Sequence, residues 1–269
     1  MKKQFLLINT IFIHFFNSTI AQIAVQDSVR YEVLYDYTYQ LNKEDKAGIK
    51  TEQMMLMIGK EQSFYASVNN LKMMMLLANE PVGGVMPKIP KTKILSTFTK
   101  NFVNKTLTIK DMIGQDHFAA SCAMPTLQWK LEDEAKEISG NVCKKATTTF
   151  AGRSYIAWYS TQIAIADGPY KFGGLPGLIF LVHDTDNFFR FELAGLKTTT
   201  KSFFPNDEAL NYKPISCNDF DSLVKQYREK PSLFVNNGGM TFPQELLDMA
   251  DKRAKERLLY ENNPLEISN

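Results

Sequence analysis

The sequence predicts a mainly β fold with some α: a large curved antiparallel sheet, open in the manner of a half-barrel, with short helices packed on it and a C-terminal helix. Three observations carry this. First, Val29, Tyr31, Val33, Tyr35, Tyr37 and Tyr39 alternate with Arg30, Glu32, Asp36, Thr38 and Gln40, and Leu34 alone breaks the pattern; period-two alternation marks a half-buried strand. Second, many short β-rich runs follow, joined by tight turn residues, as in an antiparallel meander. Third, from about residue 216 the apolar spacing lengthens to a helical period.

The elements follow in order. Asn42 to Gly48 is polar and reads as a loop. Lys50–Ile58 and Gln62–Val68 read as two strands around a Gly59-Lys60 hairpin turn. Leu71, Met74, Met75 and Ala78 have i, i+3, i+4, i+7 spacing and predict one apolar helix face turned to the core. Pro81, Gly83, Gly84, Pro87 and Pro90 mark a long loop. Strands are expected at Ile94–Thr99, Val103–Lys110, Leu127–Leu131, Val142–Phe150, Tyr155–Ser160, Leu178–His183 and Phe188–Leu193. Asp184-Thr185-Asp186-Asn187 joins the last two, because Asp and Asn side chains bond the nearby backbone in turns. Ser216 is placed to cap a helix carrying Phe220, Leu223, Val224 and Tyr227. Thr241 and Gln244 fit a capping box for a helix to about Tyr260, with Leu247, Ala250, Ala254 and Leu258 on one narrow stripe.

The amino terminus predicts export. Lys2 and Lys3 precede an apolar run from Phe5 to Phe16, then Asn17, Ser18 and Thr19, and Thr19-Ile20-Ala21 fits a small-x-small cleavage site. The run is too short to cross a bilayer, so residues 1–21 read as a signal peptide. No cysteine follows the site for lipid attachment, and no later stretch is long enough to span a membrane. The expected location is periplasmic or extracellular. Residues 22–269 carry no evident linker and read as one domain, with its helical segment at about 216–260. Removing residues 1–21, which hold two lysines and no acid, takes the 31 basic residues to 29 against 29 acidic ones. A neutral chain gives no electrostatic argument for nucleic acid or an anionic membrane surface. Cys122, Cys143 and Cys217 allow at most one internal bridge, and which two pair is left open.

The most distinctive stretch is Gly168 to Gly177, GPYKFGGLPG, continuing into Leu178, Ile179 and Phe180. Pro169 and Pro176 fix their own φ and extend the preceding residue. Gly173, Gly174 and Gly177 permit positive φ or close backbone approach. The shape of such a loop is nearly dictated, and it feeds a strand. It holds no nucleophile, no acid–base pair and no metal-ligand set.

With NVCKKATTTFAGRSYIAWYS upstream, this segment resembles the GLPGLI family of exported proteins of Gram-negative bacteria. Gly174 to Ile179 match its motif letter for letter, and Cys143, Ala146, Phe150, Gly152 and Trp158 fit the supporting segment. The Met-rich run Met54–Gly59, with Ser63 and Phe64, is similar to the family's upstream part. The resemblance implies export and a single domain of that type. It carries over no activity, because none is established for the family.

Each candidate chemistry has a plainer reading. The loop matches no phosphate-binding glycine pattern and precedes β-formers, so structural shaping is preferred. Tyr170, Phe172, Gly173, Gly174, Leu175, Pro176 and Gly177 are nonetheless the candidate binding residues, with Tyr170, Phe172 and Leu175 as an apolar contact patch should they be exposed. Only His117 and His183 remain after processing, without a hydrolase signature; a Cys143/His183 dyad is conceivable but sits in a β-pattern that suits a structural thiol. Met54, Met55, Met57, Met73, Met74 and Met75 could ligate Cu(I), but core filling is the usual role of methionine. The Tyr31–Tyr39 face could stack a sugar or line a groove, and a core face is preferred. The expectation is an exported, non-enzymatic binding or accessory protein of the cell envelope, with a hydrophobic ligand or an envelope protein as partner. No catalytic residue, metal or cofactor is assigned. A hydrolase with an unrecognised site is the alternative.

Overall fold

The computed structural model describes residues 27–78, 88, 90–199, 210–235 and 241–267. The expected signal segment lies outside the described residues, as do Pro81, Gly83, Gly84 and Pro87.

Twelve strands form one sheet among the described residues. In chain order they are β1 (Tyr31–Tyr39), β2 (Lys50–Ile58), β3 (Gln62–Ser67), β4 (Thr97–Asn101), β5 (Thr106–Ile113), β6 (Asp116–Ala123), β7 (Lys130–Ile138), β8 (Asn141–Phe150), β9 (Arg153–Ser160), β10 (Leu178–Asp184), β11 (Phe189–Thr198) and β12 (Lys213–Ser216). The spatial order is β12-β6-β5-β4-β3-β2-β1-β11-β10-β9-β8-β7. Two meanders, β1 to β6 and β7 to β11, are therefore joined where β1 pairs with β11. The sheet is open, with β12 and β7 at its ends.

Alternation in β1 buries Val33, Tyr35, Tyr37 and Tyr39 on one face, where they join the main core. The Tyr31–Tyr39 face is thus largely core rather than a free stacking surface. The methionines divide as period two requires: Met54 enters the main core, while Met55 and Met57 pack on the other face around Phe64, Ala66 and Leu71. That second cluster lies beneath α1 (Val68–Ala78). Leu71 is buried there, but Met75 is exposed, so the expected core orientation of Met75 is corrected: the helix has one side on the sheet and Met75 lies off it.

Helix α2 (Cys217–Glu229) starts where expected, with Ser216 Oγ accepting from the Asp219 amide. It packs Phe220 against β5 and β6. Helix α3 (Gln244–Tyr260) rests on α2 and the 3-10 turn Pro231–Phe234 rather than on the sheet, with Ala254 buried at the centre of its stripe. Its N-cap is Pro243 with no side-chain hydrogen bond, so the expected Thr241/Gln244 capping box does not form. Proline supplies the fixed extended entry there instead.

Three strand assignments also change. The strand expected at Leu127–Leu131 begins only at Lys130: β7 is nine residues of mostly charged KLEDEAKEI at the sheet edge, where charge discourages further pairing. β6 is built from small residues, and β12 contains Pro214, which an edge strand tolerates. Neither shows enough alternation to read from sequence. β12 is also the one parallel neighbour in an otherwise antiparallel sheet. Its register with β6 ends at Ser121–Ser216, so the next residues in each chain segment, Cys122 and Cys217, are adjacent and form the disulfide, with Cα atoms 5.1 Å apart. Cys143 is left as a buried free thiol.

This bridge closes a long loop, its cysteines 95 positions apart in sequence. A Cys122→Ser/Cys217→Ser variant should lose about 2–5 kcal/mol in urea unfolding, since the unfolded chain regains that loop's freedom. Equal midpoints for variant and oxidised wild type would show that β12 and α2 are held by packing alone.

Candidate functional site

The Gly-Pro segment lies in the connection between β9 and β10, and it reaches across the sheet. Asp167 and Gly173 pair as an isolated antiparallel bridge, and the chain turns back at Pro169–Phe172, whose ends bond at 3.0 Å. From β4, separated from β10 by four strands in the sheet order, Lys100 meets this small hairpin. Lys100 Nζ donates to Asp167 Oδ1 at 2.6 Å, to the Gly168 carbonyl at 2.8 Å and to the Phe172 carbonyl at 2.7 Å. All three ammonium protons are used. Both side chains are almost fully buried, at 4% and 2% exposure, so this is a desolvated pair with full hydrogen bonding on the lysine side.

Other strands hold the same segment. The Tyr35 hydroxyl, from β1, donates to the Ile179 carbonyl at 2.6 Å. Burial, reinforced by the Asp167 charge, pushes this phenol well above its usual range and keeps its proton in place. Trp129 Nε1 donates to the Gly173 carbonyl at 2.9 Å. Tyr170 takes φ +54° at the hairpin tip and places its ring edge-on to Phe98 of β4, 4.9 Å between centroids. Phe172 contacts Tyr155 of β9 at 4.8 Å and Phe191 of β11 at 6.0 Å. The loop is thus a plug of aromatic side chains that joins the two meanders.

The chain after α3 locks this plug from the other side. Glu266 accepts from the Tyr170 hydroxyl at 2.7 Å and pairs with Lys171 at 2.8 Å. Arg153 is buried, pairs with Asp184 at 3.2 Å, and donates to Asn263 and to the Pro264 and Leu265 carbonyls. Burial raises the Asp184 carboxyl above its usual range, with the Phe189 amide and Arg153 opposing.

Beside the plug lies a cavity of about 650 Å³. Its apolar lining includes Tyr31, Ile58, Phe102, Leu127, Ile165 and Phe172, and Gly173 and Gly174 form part of its wall. Lys100 and Asp167 line it too. Asp167 Oδ2 is buried with no hydrogen-bond partner among the described residues. The volume is in the range of small-molecule sites, about 300–1,000 Å³.

Of the residues singled out from sequence, Phe172, Leu175 and Gly177 are buried, Tyr170 and Gly173 are partly buried, and Gly174 and Pro176 are exposed. Phe172 and Leu175 therefore offer no external apolar patch. His183 pairs with Ile156 in β9 and its Nδ1 lies 2.9 Å from the Asp184 carbonyl. Cys143 lies beyond the Lys144–Tyr159 pair at the other end of β9, at least three residues or roughly 10 Å along the strand. The dyad is not assembled, and burial pushes the Cys143 thiol up to about 11 despite Lys136 nearby. Lys100 and Asp167 escaped the sequence reading. The signal for Lys100 was its parity with Phe98 on the buried face of a strand, which the expected boundary at Thr99 cut off. Asp167 sits one residue before the motif and looks like an ordinary turn residue.

The family model described as "Protein of unknown function (Porph_ging)" matches residues 150–181, from the end of β8 through the plug into β10. No curated protein matches the chain. Among solved structures, "Structure of PNGF-II in P21 space group" is similar with a TM-score of 0.55, and "Structure of PNGF-II in C2 space group" with 0.54. Each match has 13% identity and covers 75% of this chain but 34% of that one, so this chain spans about a third of the length of PNGF-II. The likeness is one of fold.

Removing one partner of the buried pair should expose its cost. Lys100→Met leaves Asp167 buried and unpaired and should destabilise by about 3–5 kcal/mol, while Lys100→Met/Asp167→Asn should recover part of that loss. Additive losses in a double-mutant cycle would mean that the two groups do not act together.

Two motif glycines should behave differently. A Cβ on Gly177 would lie 2.2 Å from the Ser160 carbonyl oxygen, whereas a Cβ on Gly174 meets nothing within 4 Å and carries only the strain of φ +84°. Gly174→Ala should cost about 1–2 kcal/mol. Gly177→Ala should exceed it, at about 3 kcal/mol or more, because backbone must move. Thermal melts giving the reverse order would refute this close approach.

Proposed function

We propose that this chain is an exported, non-enzymatic binding protein of the cell envelope, of the GLPGLI type, that holds a hydrophobic ligand in the cavity beside the Gly-Pro plug. The observation that carries the reading is that cavity: an apolar floor of small-molecule size whose wall is the most sharply specified segment of the sequence. The plug is held by Lys100, Tyr35 and Trp129, so the wall is rigid before any ligand arrives, which limits the ordering cost of binding. The short apolar N-terminal run with its small-residue site supports export. The protonated, buried Cys143 and its separation from His183 weigh against the hydrolase alternative.

The test uses the neutral dye N-phenyl-1-naphthylamine, which fluoresces in apolar sites. The exported protein should bind it, and Thr126→Trp, a change at an exposed residue of the lining, should abolish the signal while the melting temperature stays within a few degrees of wild type. A wild type that does not bind the dye, or a Thr126→Trp variant that binds it equally well, would remove the cavity from consideration.

A further inference from the structure

The cavity carries a charge pattern that its apolar floor does not require. Arg30, Lys60, Lys105 and Lys171 line it together with Lys100, against one lining carboxylate, Asp167. Lys100 and Asp167 neutralise each other. Lys171 is held by Glu266 at 2.8 Å. Arg30, Lys60 and Lys105 are exposed and make no ion pair among the described residues. The neighbouring carboxylate Asp27 accepts from the amides of Lys60, Glu61 and Gln62 at 2.9, 2.8 and 3.1 Å, which fixes the turn that carries Lys60; neutral amides leave its charge in place, so three cations stand against this one carboxylate. Glu61, on the same turn, does not line the cavity.

The backbone holds these cations together. Lys60 lies in the β2–β3 turn and Lys105 in the β4–β5 turn, and the Phe102 amide bonds the Glu61 carbonyl at 2.7 Å, stitching the two turns to each other. The Lys105 carbonyl accepts from Met124, another lining residue, at 2.8 Å. The whole chain, with 31 basic and 29 acidic residues, has an excess of only two, too small to make such a cluster a matter of composition. Like charges around one opening repel unless an anion lies among them, and low-dielectric walls concentrate the opposite charge there.

We propose that the ligand is an amphipathic anion, with its hydrocarbon part on the floor formed by the partly exposed Tyr31, Phe102, Leu127 and Ile165 and its carboxylate or phosphate head at the Arg30, Lys60 and Lys105 rim. This rests on the binding reading above and adds the sign and position of the ligand's charge.

Dye displacement separates the two claims. Decanoate should displace N-phenyl-1-naphthylamine from the wild type at least about tenfold more tightly than decyltrimethylammonium, an advantage of about 1.4 kcal/mol. The advantage should shrink in high salt and vanish in an Arg30→Gln/Lys60→Gln/Lys105→Asn variant. Asparagine is chosen at 105 because that residue has φ +57°, a region asparagine tolerates. Vesicles separate the sources of the anion. Co-sedimentation with dioleoylphosphatidylglycerol but not dioleoylphosphatidylcholine assigns a lipid headgroup, and decanoate binding without co-sedimentation assigns a free amphiphile. If the dye binds but the two decyl compounds displace it equally, or the triple variant keeps the preference, the anion inference is wrong and the cavity stands. If the dye does not bind at all, both fail.

Discussion

One buried ion pair ties the two halves of this sheet together. Lys100 belongs to the first meander and Asp167 to the connection within the second, and they meet at 2.6 Å with both side chains almost fully buried. An isolated charge in such a place would cost several kcal/mol, so each is tolerable only because of the other and the two carbonyls that complete the lysine. The pair therefore acts less as a source of stability than as a specification. Any arrangement in which the Gly-Pro hairpin fails to cross the sheet leaves a bare ammonium and a bare carboxylate in the core.

The rest of the interior follows from that crossing. With the hairpin in place, Tyr170 and Phe172 meet rings from β4, β9 and β11, and the hydroxyl of Tyr35 finds the Ile179 carbonyl. The positive φ of Tyr170 is offset by the contacts that its ring and hydroxyl gain. Arg153 performs a parallel task at another edge of the core, drawing Asn263 to Leu265 inward so that Glu266 reaches the hairpin. Two buried cations thus position two irregular segments that lie outside the twelve strands. The cavity is a consequence, since a hairpin held above a sheet by a few anchors leaves space at its side.

Much of this was legible in the residues. The β1 alternation, the hairpin at Gly59-Lys60, the Ser216 cap and the narrow stripe around Ala254 are short-range patterns, each set by the period of its own backbone. The shape demands of the Gly-Pro loop were legible for the same reason, since φ restrictions at proline and glycine are properties of single residues. β6 and β12 were not, and β7 only at its first two residues, because small or charged residues carry no alternation when a strand lies at or near an edge.

The sequence by itself therefore determined the class of fold and the backbone constraints of residues 168–177. Only the tertiary structure decided that β12 joins β6 in parallel, which makes Cys122 and Cys217 the bonded pair and leaves Cys143 alone. It alone placed Lys100 against Asp167, 67 positions away, and set Lys60 and Lys105 around a common opening. The physical reason is the same in each case. Local patterns report what a backbone segment does with its own neighbours, whereas the meaning of a charge or a thiol depends on which distant group desolvates or pairs with it, and that is fixed only when the strands are in order.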